Sequence, residues 1–396
     1  MNFIKEGKWA KMNRVNELIK EYCPDGVPFQ KVKDVYTRVK GTPITAGKMK
    51  EIACDDGEIR IFAGGKTIID AHEKDIPKAN ITRVPAVLVQ SRGVIDVVYY
   101  DKPFTFKNEM WAYTSEDIVS VKFLYYVLKN SIQTFRDAAS GMGSLPQISL
   151  KVTEEFMLPI PPLEVQREIV HILDSFTLLT AELTAELTAR KKQYEFYRNK
   201  LLTFDNNVKI VPLADIADIG TGSSNTNEGL EEGKYPFYVR SQEPLRKNEY
   251  EYDETAIITA GDGVGVGKVF HYVEGKYALH QRAYRIHINT PDVLPRYYFH
   301  YMRSAFLPYI QKTMFQGSVA SIRRPMLNQF PVPVPTLDVQ KRLVNVLDNF
   351  EAICTDLNIG LPAEIEARQK QYEYYRDLLL TFAETGSTLM TDREVR

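Results

Sequence analysis

The sequence predicts an α+β fold in which two globular, mixed α/β domains are separated by two long helices packed as an antiparallel coiled coil. The first observation is an internal repeat, which implies two similar halves with pseudo-twofold symmetry. The second is a narrow apolar stripe in each helical segment, and the third is a pattern of short strands between them. The predicted segments are an N-terminal stretch (1–24), a first domain (25–157), a central helical region (158–207), a second domain (208–331), a distal helical region (332–385) and a tail (386–396).

The repeat is clearest in the helical regions. Residues 158–176 match residues 332–350 at nine of nineteen positions, and each begins with a Pro-rich extended segment. Residues 189–204 match residues 367–382 at twelve of sixteen positions, so the motif KQYEFYR returns as KQYEYYR. The offsets of the two matches are 174 and 178, which places four additional residues in the distal copy near Gly360. Because polar positions are also identical, two unrelated amphipathic helices do not explain the match.

Apolar residues recur every three or four positions in both copies, which is the spacing of a coiled-coil seam. The central stripe comprises Ile169, Ile172, Phe176, Leu179, Leu183, Leu187, Tyr194, Tyr197 and Leu201. The distal stripe comprises Leu343, Val346, Phe350, Ile353, Leu357, Leu361, Ile365, Tyr372, Tyr375 and Leu379. Because so narrow a stripe needs a partner, we expect each copy to form one helix of about 40 residues, roughly 60 Å long, packed against the other.

Residues 180–187 read TAELTAEL, two tandem units of four residues. One unit turns a helix through roughly 400° and lengthens it by about 6 Å, so a unit can be gained or lost with little change of face. This predicts a spacer whose length changes in steps. Chance repetition among good helix formers is the alternative.

The regions between the helices show short β-runs with glycines, at residues 87–89, 94–100, 256–259 and 264–272. A helical stretch follows these runs in each region. The two regions are weakly related, since GSLPQIS (143–149) aligns with GSVASIR (317–323). Near the domain starts three further pairs align, namely Val32 with Leu213, Asp34 with Asp215 and Gly41 with Gly222.

Composition excludes several classes of protein. The formal net charge is −1, so nucleic-acid binding must rest on local charge rather than on the total. The sequence has no run of eighteen apolar residues and no signal-peptide pattern at its start, which argues against a membrane span and secretion. The three cysteines are far apart and indicate a reducing cytoplasm, without a disulfide framework or a zinc site.

Local charge favours DNA as the ligand. From Arg296 to Arg324 there are five basic residues and no acidic residue, and from Lys122 to Lys151 there are four basic residues and one acidic residue. A charged helix face is more often simply solvated, but these segments occupy equivalent places in the two domains. Two related domains also suit a duplex target with half-sites about 34 Å apart.

The combination of these motifs resembles the specificity subunit of type I restriction-modification systems, over nearly the whole chain. The resemblance rests on the paired Pro-rich to LLTF segments, the KQYEYYR motif, the TAEL units, the GSVASI loop and the opening LIKEYCPDGVPF. It implies two target-recognition domains that alternate with two helical spacers. This is the architecture that the internal repeat predicts independently.

The resemblance also implies partners and chemistry. Each recognition domain would read one half of a bipartite double-stranded DNA sequence in the major groove. The spacers would set the gap between the halves and dock two modification subunits, which in turn recruit restriction subunits. The chain itself would be non-catalytic, cytoplasmic and free of bound cofactor or metal, with S-adenosylmethionine held by the modification subunit and ATP and Mg²⁺ by the restriction subunit.

Candidate site residues follow from loop position, charge and hydrogen-bonding capacity. The predicted DNA-binding residues are Ser91, Arg92, Ser144, Gln147, Lys151, Arg240, Ser241, Gln242, Lys268, Gln281, Arg282, Gly317, Ser318, Ser321, Arg323 and Arg324. The predicted partner-docking residues are Tyr194, Tyr197, Arg198, Tyr372, Tyr375 and Arg376, with some aromatics in the inter-helix seam and the basic residues facing outward.

Three other functions have weaker support. A methyltransferase would need an Asn/Asp-Pro-Pro-aromatic box, whereas the one Pro-Pro pair is flanked by Ile160 and Leu163, and GDGVGVG (261–267) lacks the spacing of a cofactor loop. A metal-dependent nuclease could use Asp262 with the Glu274-Gly275-Lys276 triplet, although E-x-K triplets also occur elsewhere. A coiled-coil scaffold without DNA affinity would leave the matched basic segments unexplained.

Overall fold

The structure is a computed structural model that describes residues 14–65, 67–140, 145–205, 207–313 and 321–385. The chain divides into two compact units. Unit 1 contains the described residues of 1–182 and 366–396, and unit 2 contains those of 183–365. Each unit therefore combines one of the predicted globular regions with parts of both helical regions.

Unit 1 is built on three small sheets. Its strands are β1 (Phe29–Lys31), β2 (Thr37–Val39), β3 (Ile59–Phe62), β4 (Ile68–Ala71), β5 (Ala86–Gln90), β6 (Asp96–Tyr100), β7 (Phe104–Phe106), β8 (Trp111–Thr114) and β9 (Met157–Pro159). The larger sheet has the order β2-β8-β5-β6, a second has the order β4-β3-β7, and β1 pairs antiparallel with β9. Its helices are α1 (14–22), α2 (Val32–Val35), α3 (Ala46–Ile52), α4 (Ile118–Asn130), α5 (Ile132–Asp137) and α6 (Leu150–Glu154), with a 3₁₀ turn at Glu73–Asp75.

The core of unit 1 lies between the four-stranded sheet and α4. All five residues of β5 are buried, as expected for an apolar strand with a neighbour on each side. Helix α4 begins after Asp117, whose carboxylate accepts the backbone N–H of Val119 at 2.7 Å. The side chains of Phe123 and Leu124 are fully buried against this sheet's core.

Unit 2 contains one larger sheet. Its strands are β10 (Lys209–Pro212), β11 (Ala217–Thr221), β12 (Tyr235–Tyr238), β13 (Leu245–Lys247), β14 (Tyr252–Ala260), β15 (Phe270–Leu279), β16 (Ala283–Ile288) and β17 (Pro331–Val334). Six of them follow the order β11-β16-β14-β15-β12-β13, and β10 pairs antiparallel with β17. Short 3₁₀ turns lie at Leu213–Asp215 and Thr226–Glu228. Helices α8 (Pro295–Thr313), α9 (Arg324–Asn328) and α10 (Leu337–Thr355) follow, and α8 packs on β14 and β15.

Two pairs of aligned residues confirm that the units share a fold. Gly41 and Gly222 each lie against a strand, where an added Cβ would be 2.3 Å from the carbonyl oxygen of Phe106 and 1.8 Å from that of Leu279. No residue with a side chain fits at that distance, so both positions require glycine. Val32 and Leu213, the other aligned pair, are both fully buried.

One predicted strand is shorter than expected. The β-run at 264–272 was predicted as a strand, but β15 begins only at Phe270. Gly263 and Gly267 have φ angles of +81° and +70°, which belong to turns rather than strands. Residues 261–269 therefore form a loop that joins β14 to β15.

The two helical regions differ in continuity. The central region is a single helix, α7 (Leu163–Leu201), which runs unbroken through TAELTAEL, and the boundary between the units falls inside this repeat. The distal region was predicted as one helix, but it consists of α10 and α11 (Leu361–Thr385) with a break at residues 356–360. The Asp356 carboxylate accepts the backbone N–H of Asn358 at 2.7 Å, which caps this turn. The break coincides with the four additional residues of the distal copy.

The predicted seam packs within each unit. In unit 1 the ring of Phe176 on α7 lies 5.5 Å from Tyr375 on α11, measured between centroids. In unit 2 the Tyr197 ring lies 6.0 Å from Phe350, whereas Cys354, one turn further along α10, lies in the field of Lys191 and Arg190, earlier on α7. Position along α7 increases as position along α10 decreases, so α7 and α10 are antiparallel.

Candidate DNA interface and docking surface

A polar joint lies at the end of strand β5 in unit 1. Arg92 forms an isolated bridge with Gln147, and the backbone N–H of Ile148 donates to the Ser91 carbonyl at 2.9 Å. Arg92 and Gln147 are both exposed. This joint fastens the loop before α6 to the sheet and leaves a cation and an amide on the surface. Both groups are suited to phosphate and base-edge contacts.

The equivalent joint in unit 2 lies at the end of β14. Asp262 forms an isolated bridge with Ser321, and the backbone N–H of Ile322 donates to the Gly261 carbonyl at 2.8 Å. Ile322 aligns with Ile148, so each unit presents the loop before its short helix in the same way. We call these two features the strand-end joints: Arg92 with Gln147 in unit 1, and Asp262 with Ser321 in unit 2.

Two arginines flank the joint of unit 2. The Asp262 carboxylate accepts hydrogen bonds from Arg240 at 2.8 Å and from Arg282 at 3.1 Å. Burial raises the pKa of Asp262, but the two guanidinium groups outweigh it and hold this pKa below its usual value. The carboxylate is therefore charged at neutral pH and orients both arginines. Their side chains are 41% and 63% exposed, which leaves an arginine cluster with one net positive charge on the surface.

Most other predicted DNA-binding residues of unit 2 are exposed as well. Gln242, Lys268, Gln281 and Arg323 lie on the surface, and Ser241 is exposed with its hydroxyl bound to the Glu243 carbonyl at 2.7 Å. In unit 1 Lys151 is exposed at the start of α6. These residues thus remain predictions for DNA contact.

Five of the predicted DNA-binding residues are either turned toward the protein or lie outside the described part of the chain. Ser91 is buried and its hydroxyl donates to the Glu109 carbonyl, so its side chain faces the domain interior and not a groove. The guanidinium of Arg324 donates to the backbone carbonyl of Ile219, which commits part of it to the fold. Ser144, Gly317 and Ser318 lie outside the described residues.

The basic residues of α8 have a different role from the one that their charge suggested. Arg296 donates to Asp348 at 2.8 Å, and Arg303 donates to Glu351. Buried His300 lies 2.7 Å from Asp348 through Nε2. These side chains fasten α8 to α10 and are not available as a DNA-facing cluster.

Unit 1 repeats this arrangement at aligned positions. Lys122 donates to Asp174 on α7, and the Tyr126 hydroxyl donates to the same carboxylate at 2.7 Å. Lys129, which aligns with Arg303, differs in that it pairs with Asp96 on β6 at 2.6 Å. The aligned residues Lys122 and Arg296 therefore make the same contact between a domain helix and a helix of the helical regions, and the matched charge does not support DNA binding.

A cavity of about 500 Å³ in unit 1 holds polar residues that the sequence did not single out. Its lining includes Arg38, Lys40, Asn80, Asn108 and Trp111 and no acidic residue. Of its two cations, Arg38 is paired with Glu154 at 3.5 Å, which leaves Lys40 and the two amides for contacts with a ligand such as DNA. In the sequence, this cavity was indicated only by the basic residues Arg38 and Lys40, which precede Gly41.

The docking motif divides into buried and exposed aromatic residues. Tyr194 is buried in the core of unit 2, and Tyr372 and Tyr375 pack against the core of unit 1. Phe196 and Tyr374 occupy the same position of the repeat and are 61% and 51% exposed. These two residues were not among the predicted docking residues because they do not follow the three-or-four spacing of the seam.

The basic residues of the motif stay close to its buried tyrosines. The Arg198 guanidinium lies 5.5 Å from the centroid of the Tyr194 ring, and that of Arg376 lies 5.7 Å from Tyr372. Tyr197 is 38% exposed and packs on Phe350, so it belongs partly to the seam. Each motif therefore presents a ring that is more than half exposed, Phe196 or Tyr374, near a cation held by a cation–π contact.

The residues suggested for a nuclease do not meet. Glu274 pairs with Thr255 near the start of β14, whereas Asp262 lies two residues beyond the end of that strand. Asp262 is also bound by two arginines, which leaves its carboxylate poorly suited to a cation. Neither residue belongs to a cluster of metal-ligating side chains among the described residues.

The comparisons with known proteins agree on one family. The profile of the "Type I restriction modification DNA specificity domain" matches residues 24–190 and 205–367, one match for each half of the repeat. These matches cover most of the chain, so the protein belongs to the type I restriction-modification DNA specificity family. The predicted family and function class are confirmed.

Curated relatives carry the same description. The chain is similar to the Escherichia coli "Type I restriction enzyme EcoR124I/EcoR124II specificity subunit", with 36% identity over 292 residues that cover 66% of this chain and 71% of the relative. It is similar to the Haemophilus influenzae "Putative type I restriction enzyme specificity subunit S.HindORF215P", with 31% identity over 306 residues, 71% of this chain and 77% of the relative.

Solved structures show the same fold. The S subunit of a type I restriction-modification system from M. genitalium has a TM-score of 0.58 at 18% identity, covering 92% of this chain and 97% of that chain. A chain from a structure of complex assembly and conformational transition of a type I R-M system has a TM-score of 0.52 at 14% identity, covering 93% and 98%. The predicted α+β class with two related domains and long helices is confirmed. In the described part of the chain, no helix has the length and apolarity needed to cross a bilayer.

Proposed function

We propose that each unit of this specificity subunit reads one half of a bipartite double-stranded DNA target. The observation that carries the proposal is the pair of strand-end joints, one in each unit, whose loop residues Gln147 and Ser321 occupy aligned positions of the repeat. Each joint sets exposed hydrogen-bonding groups at the end of a buried central strand. A rigid sheet is a suitable support for side chains that must match base edges within a groove.

The arginines provide the electrostatic part of binding. Arg240 and Arg282 are held by Asp262, so less rotamer entropy is lost when they meet a phosphate than for free side chains. Lys268 and Arg323 add positive charge at exposed positions of the same unit. Affinity should therefore fall steeply with salt, while base-specific contacts decide the sequence.

The exposed aromatic rings supply the docking positions. Phe196 and Tyr374 stand at the same place in two copies of one motif, so two identical partner subunits would meet equivalent surfaces. Exposed aromatic rings beside arginine are typical anchors of protein interfaces. The partners in this proposal are two modification subunits, through which restriction subunits join.

In this proposal the chain performs no chemistry of its own. S-adenosylmethionine is bound by the modification subunits, and ATP and Mg²⁺ are bound by the restriction subunits. The free state of all three cysteines agrees with a place in the cytoplasm. Purified chain incubated with Mg²⁺ should therefore leave supercoiled plasmid DNA intact, and cleavage that Asp262→Asn abolishes would favour the nuclease instead.

The decisive experiment maps methylated adenines by single-molecule sequencing in cells that express this chain with its modification subunit. We expect one motif of two short specific halves around a fixed gap. Replacing residues 208–331 by the corresponding segment of another family member should change one half and leave the other half unchanged. An undivided motif, or no methylation with a partner proven active on another specificity subunit, would contradict the proposal.

Point variants assign the halves to the units. Arg92→Ala should relax sequence preference in one half of the motif, and Arg282→Ala should affect the other half. The matched control is Arg285→Lys, because Arg285 lies in the same strand region but is only 12% exposed and is bound by Glu254 and Asp218. If both test variants affect the same half, the one-unit, one-half assignment is wrong.

A further inference from the structure

Three potential metal ligands meet at one edge of unit 1. Cys54 and Asp56 lie in the turn between α3 and β3, and His72 directly follows β4. One ligand atom from each of these side chains lies within 4.8 Å of the other two. A thiolate, a carboxylate and an imidazole are the donor types that zinc takes in proteins.

The backbone brings the turn and the strand together. The backbone N–H of Cys54 donates to the carbonyl of Asp70 at 3.0 Å. An added Cβ at Gly57 would lie 2.2 Å from the backbone nitrogen of Ala71, so only glycine permits this approach. The turn is thus fastened to β4 on both sides of Asp56, and the three ligands are close before any ion binds.

A fourth residue orients the imidazole. Nδ1 of His72 lies 2.8 Å from Oε2 of Glu58, while Nε2 lies 3.5 Å from Oδ1 of Asp56. The other oxygen of Glu58 accepts the backbone N–H of Glu73 at 2.9 Å. With Nδ1 held by Glu58, Nε2 is the ring nitrogen that faces Asp56.

We propose that Cys54, Asp56 and His72 bind a divalent zinc ion through Sγ, a carboxylate oxygen and Nε2. Water completes the coordination, and Glu58 acts as the carboxylate that positions the imidazole, as is common for histidine ligands of zinc. The thiol proton passes to solvent on binding, so the S–H bond is replaced by a zinc–sulfur bond. Sulfur and nitrogen donors favour zinc over Mg²⁺ or Ca²⁺, which prefer oxygen ligands.

The required movement is small. Bonds of about 2.0–2.3 Å to a tetrahedral ion place ligand atoms roughly 3.5 Å apart, so separations of up to 4.8 Å must shrink by no more than about 1.3 Å. Asp56 can move because its side chain is 82% exposed. A bound ion would link the turn to β4 and so stabilise the small core around Met49, Ile59 and Ile61.

A second cluster of potential metal ligands has a structural role instead of a metal-binding one. His300, Asp348 and Glu351 also lie within ligand distance of one another among the described residues. Their carboxylates are bound by Arg296 and Arg303, which already supply the positive charge. Among the described residues no arginine or lysine forms an ion pair with Asp56, whose side chain interacts with His72 and Cys54.

Cobalt and zinc titrations of the reduced full-length chain test the proposal. We expect one equivalent of Co²⁺ to give a near-ultraviolet thiolate-to-cobalt band, and Zn²⁺ but not Mg²⁺ to displace it. Cys54→Ser and His72→Gln should each abolish the band, and Glu58→Gln should weaken the affinity by about 10–100-fold. Asp55→Asn, an exposed acid beside the cluster, is the matched control and should bind like the parent chain.

Thiol protection provides a second measurement without any variant. Cys23 and Cys354 are buried, so Cys54 is the thiol that an aromatic disulfide reagent should reach in the native chain. Zinc should slow this reaction at least about tenfold, and chelator should restore it. Cobalt bound without a thiolate band, or thiol reactivity unchanged at saturating zinc, overturns the proposal. Circular dichroism of each variant separates loss of the site from loss of the fold.

Discussion

Deleting residues 184–187 removes one TAEL unit from α7 and tests the spacer directly. In the structure α7 is continuous through both TAEL sequences. Thr180, Leu183 and Leu187 are partly buried there, and the other five residues of 180–187 are exposed. Because the two TAEL sequences are identical, the deletion joins residue 188 to an unchanged TAEL sequence. We therefore expect the variant to fold.

The magnitude follows from helix geometry. Four residues at 1.5 Å each shorten α7 by about 6 Å and rotate it by roughly 40° beyond one full turn. One base pair spans about 3.4 Å along B-DNA, so the preferred gap between the half-sites should shorten by one or two base pairs. The half-site sequences should stay the same, since the deletion touches neither strand-end joint. Methylated-adenine sequencing measures both properties at once.

A length-preserving variant controls for local changes in the helix. Thr184→Ala combined with Glu186→Ala removes two exposed side chains of the same unit but keeps the number of residues. It should leave the gap unchanged. A deletion variant that methylates DNA with the parental gap refutes the spacer reasoning, because a shortened helix would then have no effect on the DNA register.

Four further predictions concern single sites. Arg282→Ala should weaken DNA binding and lower the slope of log K against log salt by about 1 if its contact is a phosphate, measured by fluorescence anisotropy. Phe196→Ala or Tyr374→Ala alone should reduce the number of bound modification subunits from two to one, measured by analytical ultracentrifugation, while the double variant binds none. Asp174→Asn removes a charged acceptor from two donors on α4 and should cost about 1–3 kcal/mol in urea unfolding. Burial lowers the pKa of the His300 imidazole below its usual value, so the unfolded chain binds this proton at a higher pH than the folded chain does. The free energy of unfolding should therefore decrease as the pH falls below about 6.5. His300→Gln should reduce this pH dependence, measured by urea unfolding.

The site could be predicted only in part. Exposed loop positions such as Arg92, Arg282 and Gln147 were found from charge and hydrogen-bonding type, because loop residues beside strands are often accessible. The pairing of Arg240 and Arg282 through Asp262 was not found, since these three residues come from different loops. Ser91 was placed in a groove because its neighbours are polar, whereas its hydroxyl turns inward to a backbone carbonyl.

The sequence by itself determined the repeat, the fold class and the family. These depend on properties that can be read along one dimension, namely the aligned segments, the spacing of apolar residues and the two glycines at 41 and 222. The seam residues Phe176 and Tyr194 were predicted for the same reason, since helical periodicity decides which side chains share a face. The break after α10 was signalled only by four additional residues.

Only the tertiary structure decided what the long charged side chains contact. Arg296 and Lys122 look like DNA-binding residues in the sequence, yet their partners lie on helices about fifty positions away in the chain. The same holds for Cys54 and His72, which meet because β3 and β4 pair and not because of any ligand spacing. A charge or a donor atom is a local property, but its partner depends on which elements pack together, and packing is settled by the burial of the whole apolar surface.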